Sequence, residues 1–222
     1  MRFPMSLSRF VLTIFFVQGV TFLPAVSQSP VSKEEVIKKI QEKYSSIENV
    51  SADFTQATKY RFSSAEQIQS GSVKIGKNNA FKIILSHQEI VSNGTTVWVY
   101  SESTHQVLVN TFNQTNSALS PEKLLRGMPD DFKVTTMEQD SGTVSLSMVP
   151  THAKGNTIPI TEMNISVTQN DWVIHRIEYT DKNGTSVVMT FTHIRFNEHF
   201  GEKEFEFTPE PSMRVLDLRK VQ

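Results

Sequence analysis

The side chains that could carry out chemistry are few in this sequence and lie far apart along it. There is no cysteine, which removes thiol catalysis, disulfides and most zinc sites. Six histidines occur, at positions 87, 105, 152, 175, 193 and 199, and none forms a pair at the spacing that binds a metal on a helix. His175 and His193 fall on separate predicted strands, which would allow a site between them, although solvated strand histidines are the more common case.

Longer catalytic signatures are also absent. The sequence contains no nucleophile elbow, phosphate-binding loop or dinucleotide fingerprint. Lysine and arginine number 22 against 23 aspartates and glutamates, a balance that gives no electrostatic footprint for nucleic acid or for an anionic membrane. We therefore expect a protein that is not an enzyme, needs no cofactor or metal, and does not bind nucleic acid.

The first 27 residues have the three parts of a secretory signal peptide. Arg2 and Arg9 make a basic start, residues 10–17 form an apolar core too short for a stable membrane span, and small residues precede a cleavage point after Ser27. An uncleaved anchor is the alternative, which the short core disfavours. Residues 28–222 then form one mature domain. An exported chain without cysteine fits the bacterial periplasm better than a disulfide-stapled extracellular module.

Helical signals are confined to two short segments. Ser32-Lys-Glu-Glu35 is a capping box, and apolar residues then recur at helical spacing as far as Ile47, which predicts a helix that ends near Ser46. Residues 120–127 begin with Ser-Pro and end with glycine, the limits of a second short helix. This second helix is either a movable lid or a packed connector, and its periodicity favours the connector.

The rest of the chain has the patterns of strands and turns. Between Gly71 and Val109, about five apolar runs alternate with the turn sequences GKNN, SHQ, SNGT and SEST, which predicts an antiparallel meander. We also predict strands at 50–61, 132–137, 144–149, 158–167, 172–180 and 186–196. The predicted fold class is therefore mainly β with two or three helices (α+β), built on an antiparallel sheet of about 10–11 strands.

Several predicted strands are apolar on both faces, although a half-solvated sheet alternates apolar and polar residues. The clearest are residues 81–85, 97–100 and 107–109. With only two helices to cover so broad a sheet, such strands can line a ligand cavity; a normally packed core is the alternative. Successive strand residues point to opposite faces, so the sequence leaves open which face would meet a ligand.

Several short motifs, taken in order along the chain, resemble those of the LolA family of periplasmic carriers of outer-membrane lipoproteins. Ser51-Ala-Asp-Phe-Thr-Gln56 is similar to the family's first strand, and Val91-Ser-Asn-Gly-Thr-Thr-Val-Trp-Val-Tyr100 is similar to its most recognisable hairpin. Gly71-x-Val-x-Ile-x-Lys77-x-x-x-Phe81, Pro121-x-x-Leu124-Leu125 and Phe205-Glu-Phe-Thr-Pro209 resemble a strand pair, a lid helix and a closing motif.

This resemblance implies an open antiparallel half-barrel, closed by helices around a hydrophobic cavity. It implies acylated lipoproteins as cargo, an inner-membrane lipoprotein-releasing ABC transporter as donor, and an outer-membrane lipoprotein receptor as acceptor, with the carrier a monomer. Lys77 is the candidate for lid control, because it stands where the family commonly has arginine. The candidate lipid-binding residues are Phe54, Phe81, Ile83, Ile90, Trp98, Tyr100, Leu124 and Leu125.

A second class of function remains open from the sequence: a periplasmic lipid- or lipoprotein-sensing domain on the same scaffold. A LolB-like receptor is disfavoured, because such a receptor would be expected to have a lipid-anchoring cysteine and this chain has none. A hydrolase that uses His175 and His193 is the most distant alternative.

Overall fold

The computed structural model describes residues 31–112, 132–151 and 159–219. The described residues form one helix, α1 (Lys33–Ser45), and twelve strands. The predicted signal peptide and the predicted second helix, with Leu124 and Leu125, lie outside the described residues. The strands are β1 (Val50–Lys59), β2 (Glu66–Ile75), β3 (Ala80–Leu85), β4 (Gln88–Asn93), β5 (Thr96–Ser101), β6 (Gln106–Thr111), β7 (Phe132–Asp140), β8 (Thr143–Pro150), β9 (Ile160–Thr168), β10 (Ile174–Asp181), β11 (Ser186–Phe196) and β12 (Arg214–Asp217).

All twelve strands belong to one sheet, in the order β12-β6-β5-β4-β3-β2-β1-β11-β10-β9-β8-β7. Two meanders, β1 to β6 and β7 to β11, are joined where β11 pairs with β1. The sheet is open, with β12 and β7 as its edges. The predicted mainly β, open curved sheet is confirmed, with twelve strands in place of ten or eleven. One pairing departs from the predicted antiparallel pattern, because β12 runs parallel to β6.

The predicted first helix is present with the predicted start. The Ser32 hydroxyl accepts a hydrogen bond from the Glu35 backbone N–H at 3.2 Å, which satisfies one of the free donors at the helix N-terminus. Val36, Ile40 and Tyr44, spaced four residues apart, are buried and form the apolar stripe that packs on the sheet. No helix among the described residues is long and apolar enough to cross a membrane.

The position of α1 distinguishes the two faces of the sheet. The Tyr44 ring meets Phe196 edge-on, with 6.1 Å between the ring centroids. Phe196 is directly opposite Val50, which is opposite Ile75, and residues opposite each other in neighbouring strands point to the same side. We call this side the helix face. We call the other side the strap face, after the segment Asn197–Met213, the strap, which lies on it.

The strap connects β11 to β12 at the edge of the sheet, and six strands lie between the two. Glu204 forms an ion pair with Lys74 on β2, with 2.8 Å between the charged atoms. The Lys74 ammonium also lies 5.5 Å from the Phe200 ring centroid. Further along, Phe207 stacks on Tyr100 of β5 with 5.9 Å between ring centroids. The strap therefore covers part of the face opposite α1.

This cover explains why the predicted strands of the first meander are apolar on both faces. Val91, Val107 and Val109 point to the strap face, together with Trp98 and Tyr100, and all three valines are buried. Tyr100 among them packs directly against Phe207 of the strap. The apolar residues of the helix face are therefore the better candidates for a ligand-binding wall.

Candidate functional site

Four of the predicted lipid-binding residues lie together on the helix face. Phe54 follows Val50 at an even spacing on β1, Phe81 is opposite Ile75, and Ile83 is opposite Ile90 across β3 and β4. Phe54 and Phe81 are each 7% exposed, whereas Ile83 and Ile90 are half-buried. The structure thus brings these four side chains onto one surface that spans four neighbouring strands.

The two remaining described candidates, Trp98 and Tyr100, lie on the strap face. Trp98 is opposite Val91 and Val109, and Tyr100 packs against the strap. Their neighbour Val99 points to the helix face instead, because successive strand residues alternate between faces. Trp98 and Tyr100 therefore do not belong to the same wall as Phe54, Phe81, Ile83 and Ile90.

The first meander separates its charges sharply between the two faces. Every charged residue on strands β1 to β6 points to the strap face, and the helix face of these strands has only apolar and uncharged polar side chains. Because burying an unpaired charge is costly, a surface free of charge is suited to an apolar ligand. The charged residues concerned are Asp53, Lys59, Glu66, Lys74, Lys82 and Glu89.

An apolar row crosses the helix face at right angles to the strands. At about 4.8 Å between neighbouring strands, its seven members span roughly 29 Å. Each member is directly opposite the next, in the order Ala52, Val73, Ile83, Ile90, Val99, Leu108 and Leu216. Only Ile83 and Ile90 of this row are predicted from the sequence. Strand alternation would have identified the other members, except Leu216, once the hairpin registers were known.

Lys77 lies in the turn between β2 and β3. Its ammonium is 2.9 Å from the Glu48 carboxylate, and the two side chains are 59% and 67% exposed. Glu48 belongs to the short link between α1 and β1, and both residues line a cleft of about 370 Å³. The described contact of Lys77 is therefore to this link, and its role in control of the lid remains a prediction.

The two histidines considered for chemistry are near each other but form no metal site. Both line a cleft of about 420 Å³ beside α1. The His193 Nδ1 atom is 3.0 Å from the Asp53 carboxylate in a largely exposed pair, and the His175 Nδ1 atom is buried without a hydrogen-bond partner. Within residues 31–112, 132–151 and 159–219, no group of three or more histidine or acidic side chains could hold a metal ion.

A charge-free apolar surface on an open sheet defines a binding scaffold, and the family comparison agrees. Residues 45–208 match the family model described as outer membrane lipoprotein carrier protein LolA. This match covers well over half of the chain, and the protein belongs to the LolA family. LolA-family proteins are non-enzymatic carriers, which confirms the prediction that the chain is not an enzyme.

Individual relatives agree with this assignment at low identity. The chain is 25% identical over 205 residues to the outer-membrane lipoprotein carrier protein of Histophilus somni strain 2336, covering 91% of this chain and 97% of the relative. It is also 25% identical over 205 residues to the carrier protein of the same name from Haemophilus influenzae strain Rd, covering 89% and 95%. An uncharacterized conserved protein from Thermus thermophilus superposes with a TM-score of 0.52 at 11% identity, covering 83% of this chain and 98% of that one, a likeness of fold alone.

Proposed function

We propose that this protein binds the acyl chains of lipoproteins on its helix face and carries them through the periplasm. In this proposal it receives lipoproteins from an inner-membrane ABC transporter and delivers them to an outer-membrane receptor. The observation that carries the proposal is the separation of charge on strands β1 to β6, which leaves one side of the sheet without charge and with a continuous row of apolar side chains. The names of the family and of its relatives support the same cargo.

The energetics of acyl chains explain why such a surface is needed. Each methylene group exposed to water costs roughly 0.8 kcal/mol, so a long acyl chain costs on the order of 10 kcal/mol. A lipoprotein would therefore cross an aqueous compartment very slowly without cover for its chains. The half-buried side chains of Ile83, Ile90 and Val99 suit a carrier, because a surface that is already partly solvated can both accept and release a chain.

A matched pair of variants on β3 tests the proposed surface. Ile83→Gln places a polar group on the helix face, whereas Ile84→Gln makes the same change at the next residue, which is 44% exposed on the strap face. We expect Ile83→Gln to weaken binding of a synthetic diacylated lipopeptide about tenfold or more, because one buried aliphatic contact is worth roughly 1.5–3 kcal/mol. Binding is measured by titration calorimetry, with thermal unfolding as the check on folding.

The outcome for Ile84→Gln is the control for this experiment. Its affinity should stay within about twofold of the unmodified protein, because surface substitutions away from a site have small effects. Equal losses in both variants would contradict binding on the helix face. A protein that binds lipopeptide but never releases a lipoprotein from spheroplasts or passes it to outer membranes would be a sensing domain and not a carrier.

A further inference from the structure

We propose that one acyl chain lies along the apolar row across the strands, with its methyl end near Ile83, beside the buried end of the row, and its polar end at the open edge formed by β12. This inference rests on the proposed function and adds a direction to it. The width of the row indicates a single chain, and the direction follows from the gradient of burial along the row and from the position of the first charge on the helix face.

The row is narrow on β4 and on β6, whereas on β5 between them Val97 lies beside Val99 on the same face. On β4 the helix-face neighbours of Ile90 are Gln88 and Ser92, and on β6 those of Leu108 are Gln106 and Asn110. The apolar surface there is one side chain wide and has hydroxyl and amide groups on both sides. A strip of this shape fits a single unbranched alkyl chain better than the broad apolar face of a folded protein.

Burial is greatest at one end of the row and least at the other. Ala52 and Val73 are 4% and 5% exposed, whereas Leu108 and Leu216 at the other end are 36% and 41% exposed. Ala52 and Val73 are already covered by the protein, so a ligand can contact the row only from Ile83 outwards. Since every methylene group favours the less hydrated position, the apolar end of a bound chain belongs at Ile83, next to the buried end of the row. The ester or amide that joins the chain to the lipoprotein requires hydrogen bonds or water, which the open end provides.

The first charged strand residue on the helix face also lies at the open end. Strands β1 to β6 have none on this side, but Arg214 on β12 is opposite Gln106 and therefore shares the face of Leu216. A guanidinium group donates up to five hydrogen bonds and accepts none, which suits the carbonyl oxygens of an acyl ester.

The β12 edge that presents Arg214 is firmly attached to the sheet. The Arg214 N–H donates to the His105 carbonyl at 3.0 Å, and the Leu218 N–H donates to the Val109 carbonyl at 2.8 Å. The Arg219 guanidinium donates to the Thr96 hydroxyl of β5 at 3.3 Å. The open end of the row is therefore preformed, and binding there need not order a free segment.

Photo-crosslinking tests the direction without changing the protein. Two diacylated lipopeptides are used, one with a diazirine near the ester and one with a diazirine near the methyl end of the chain, and the labelled peptides are mapped by mass spectrometry. We expect the ester-proximal probe to label residues 106–111 and 214–217, and the methyl-end probe to label residues 81–85 and the adjoining residues 71–75. The reverse pattern, or the same pattern from both probes, would overturn the proposal.

A matched pair on β12 provides a second test. Leu216 and Val215 are adjacent and similarly exposed, at 41% and 48%, but they point to opposite faces. We expect Leu216→Gln to weaken lipopeptide binding about tenfold, which corresponds to the loss of one aliphatic contact, and Val215→Gln to change it less than about twofold. Equal losses of affinity in the two variants would contradict the proposal that the acyl chain lies along the row. Failure of the unmodified protein to bind any lipopeptide would overturn the proposed function as well, so the two failures are distinguishable.

Discussion

Among single residues, Tyr44 makes the clearest link between the helix and the sheet. It is 4% exposed, and its hydroxyl accepts a hydrogen bond from the Ile174 backbone N–H at 2.9 Å. Burial raises the pKa of Tyr44 to about 12, so the phenol remains neutral at physiological pH. One side chain thus packs against Phe196 and satisfies a buried backbone donor at the start of β10.

Replacement of Tyr44 by phenylalanine should destabilise the protein. Tyr44→Phe retains the ring but leaves the Ile174 N–H without its acceptor, which costs about 1–3 kcal/mol. Urea denaturation measures the change in the free energy of unfolding. Tyr100→Phe is the control, because the Tyr100 hydroxyl meets His105 at 3.3 Å in an exposed position; its cost should stay below about 0.5 kcal/mol. Equal losses would contradict a special role for Tyr44.

The raised pKa of Tyr44 also predicts how stability changes at alkaline pH. The folded protein holds the phenolic proton up to about pH 12, whereas the unfolded chain releases it near pH 10. The stabilisation is therefore fully present below pH 10 and is lost as the pH rises towards 12. Between pH 10 and pH 12 we expect the free energy of unfolding of the unmodified protein to fall by about 2 kcal/mol more than that of Tyr44→Phe. Urea titrations at each pH measure both values. If the free energies of unfolding of the two proteins fell in parallel with pH, the raised pKa of Tyr44 would be contradicted.

Lys77 is expected to matter for transfer more than for stability. Its ion pair with Glu48 is largely exposed, and exposed pairs contribute about 0–1 kcal/mol. Lys77→Ala should therefore lower the free energy of unfolding by less than about 1 kcal/mol. If Lys77 controls the lid, the same variant will change either the loading of lipoprotein or its delivery to outer membranes. Unchanged rates of both steps would contradict this role.

At the scale of elements, the packing of the strap on the sheet depends on a glycine. A Cβ atom added at Gly76, at the end of β2, would lie 2.7 Å from the Phe205 ring. No residue with a side chain fits there without displacing the ring. At Gly201, within the strap itself, a Cβ atom would meet nothing within 4 Å. The two glycines therefore form a natural comparison between a close contact and open space.

We expect Gly76→Ala to destabilise the protein by about 1–3 kcal/mol, the usual cost of overpacking. Gly201→Ala should be neutral or stabilise by up to about 1 kcal/mol, because it restricts the unfolded chain without a clash. Chemical denaturation gives both values, and near-ultraviolet circular dichroism reports on the aromatic contacts of the strap. A neutral Gly76→Ala would show that Phe205 moves aside at no cost.

The elements that the sequence predicts well are those with local causes. The start of α1 follows from Ser32 and Glu35, and the turns between β2 and β6 follow from residues such as Gly94, so both agree with the structure, although β2 begins at Glu66, before the predicted meander. The parallel pairing of β12 and the face of Trp98 have no local cause. Each depends on a contact distant in sequence, between Leu216 and Leu108 or between Phe207 and Tyr100, which one sequence does not reveal.

For the whole molecule, the sheet is a long ribbon with unequal support at its two ends. Strand β12 pairs only with β6, and through that pairing it fixes the far end of the strap. On the strap face of β6, Val107 and Val109 are 0% and 3% exposed. The second meander, β7 to β11, is joined to this region only through the β1–β11 pairing within the sheet. Loss of β12 should therefore loosen one end of the sheet and spare the other.

A chain that ends at Met213 tests this division, with a chain that ends at Arg219 as control. The shorter chain loses β12 and leaves β6 as a bare edge, which exposes backbone donors and acceptors. Because the side chains of Val215 and Leu216 are 48% and 41% exposed, we expect the lost backbone hydrogen bonds to dominate, at a total cost of about 1–4 kcal/mol. Hydrogen exchange followed by mass spectrometry should show faster exchange in β5 and β6 and unchanged protection in β8 and β9, because stability differs between cooperative units. Uniformly faster exchange across all strands would mean that the sheet unfolds as one unit and that β12 supports the whole of it.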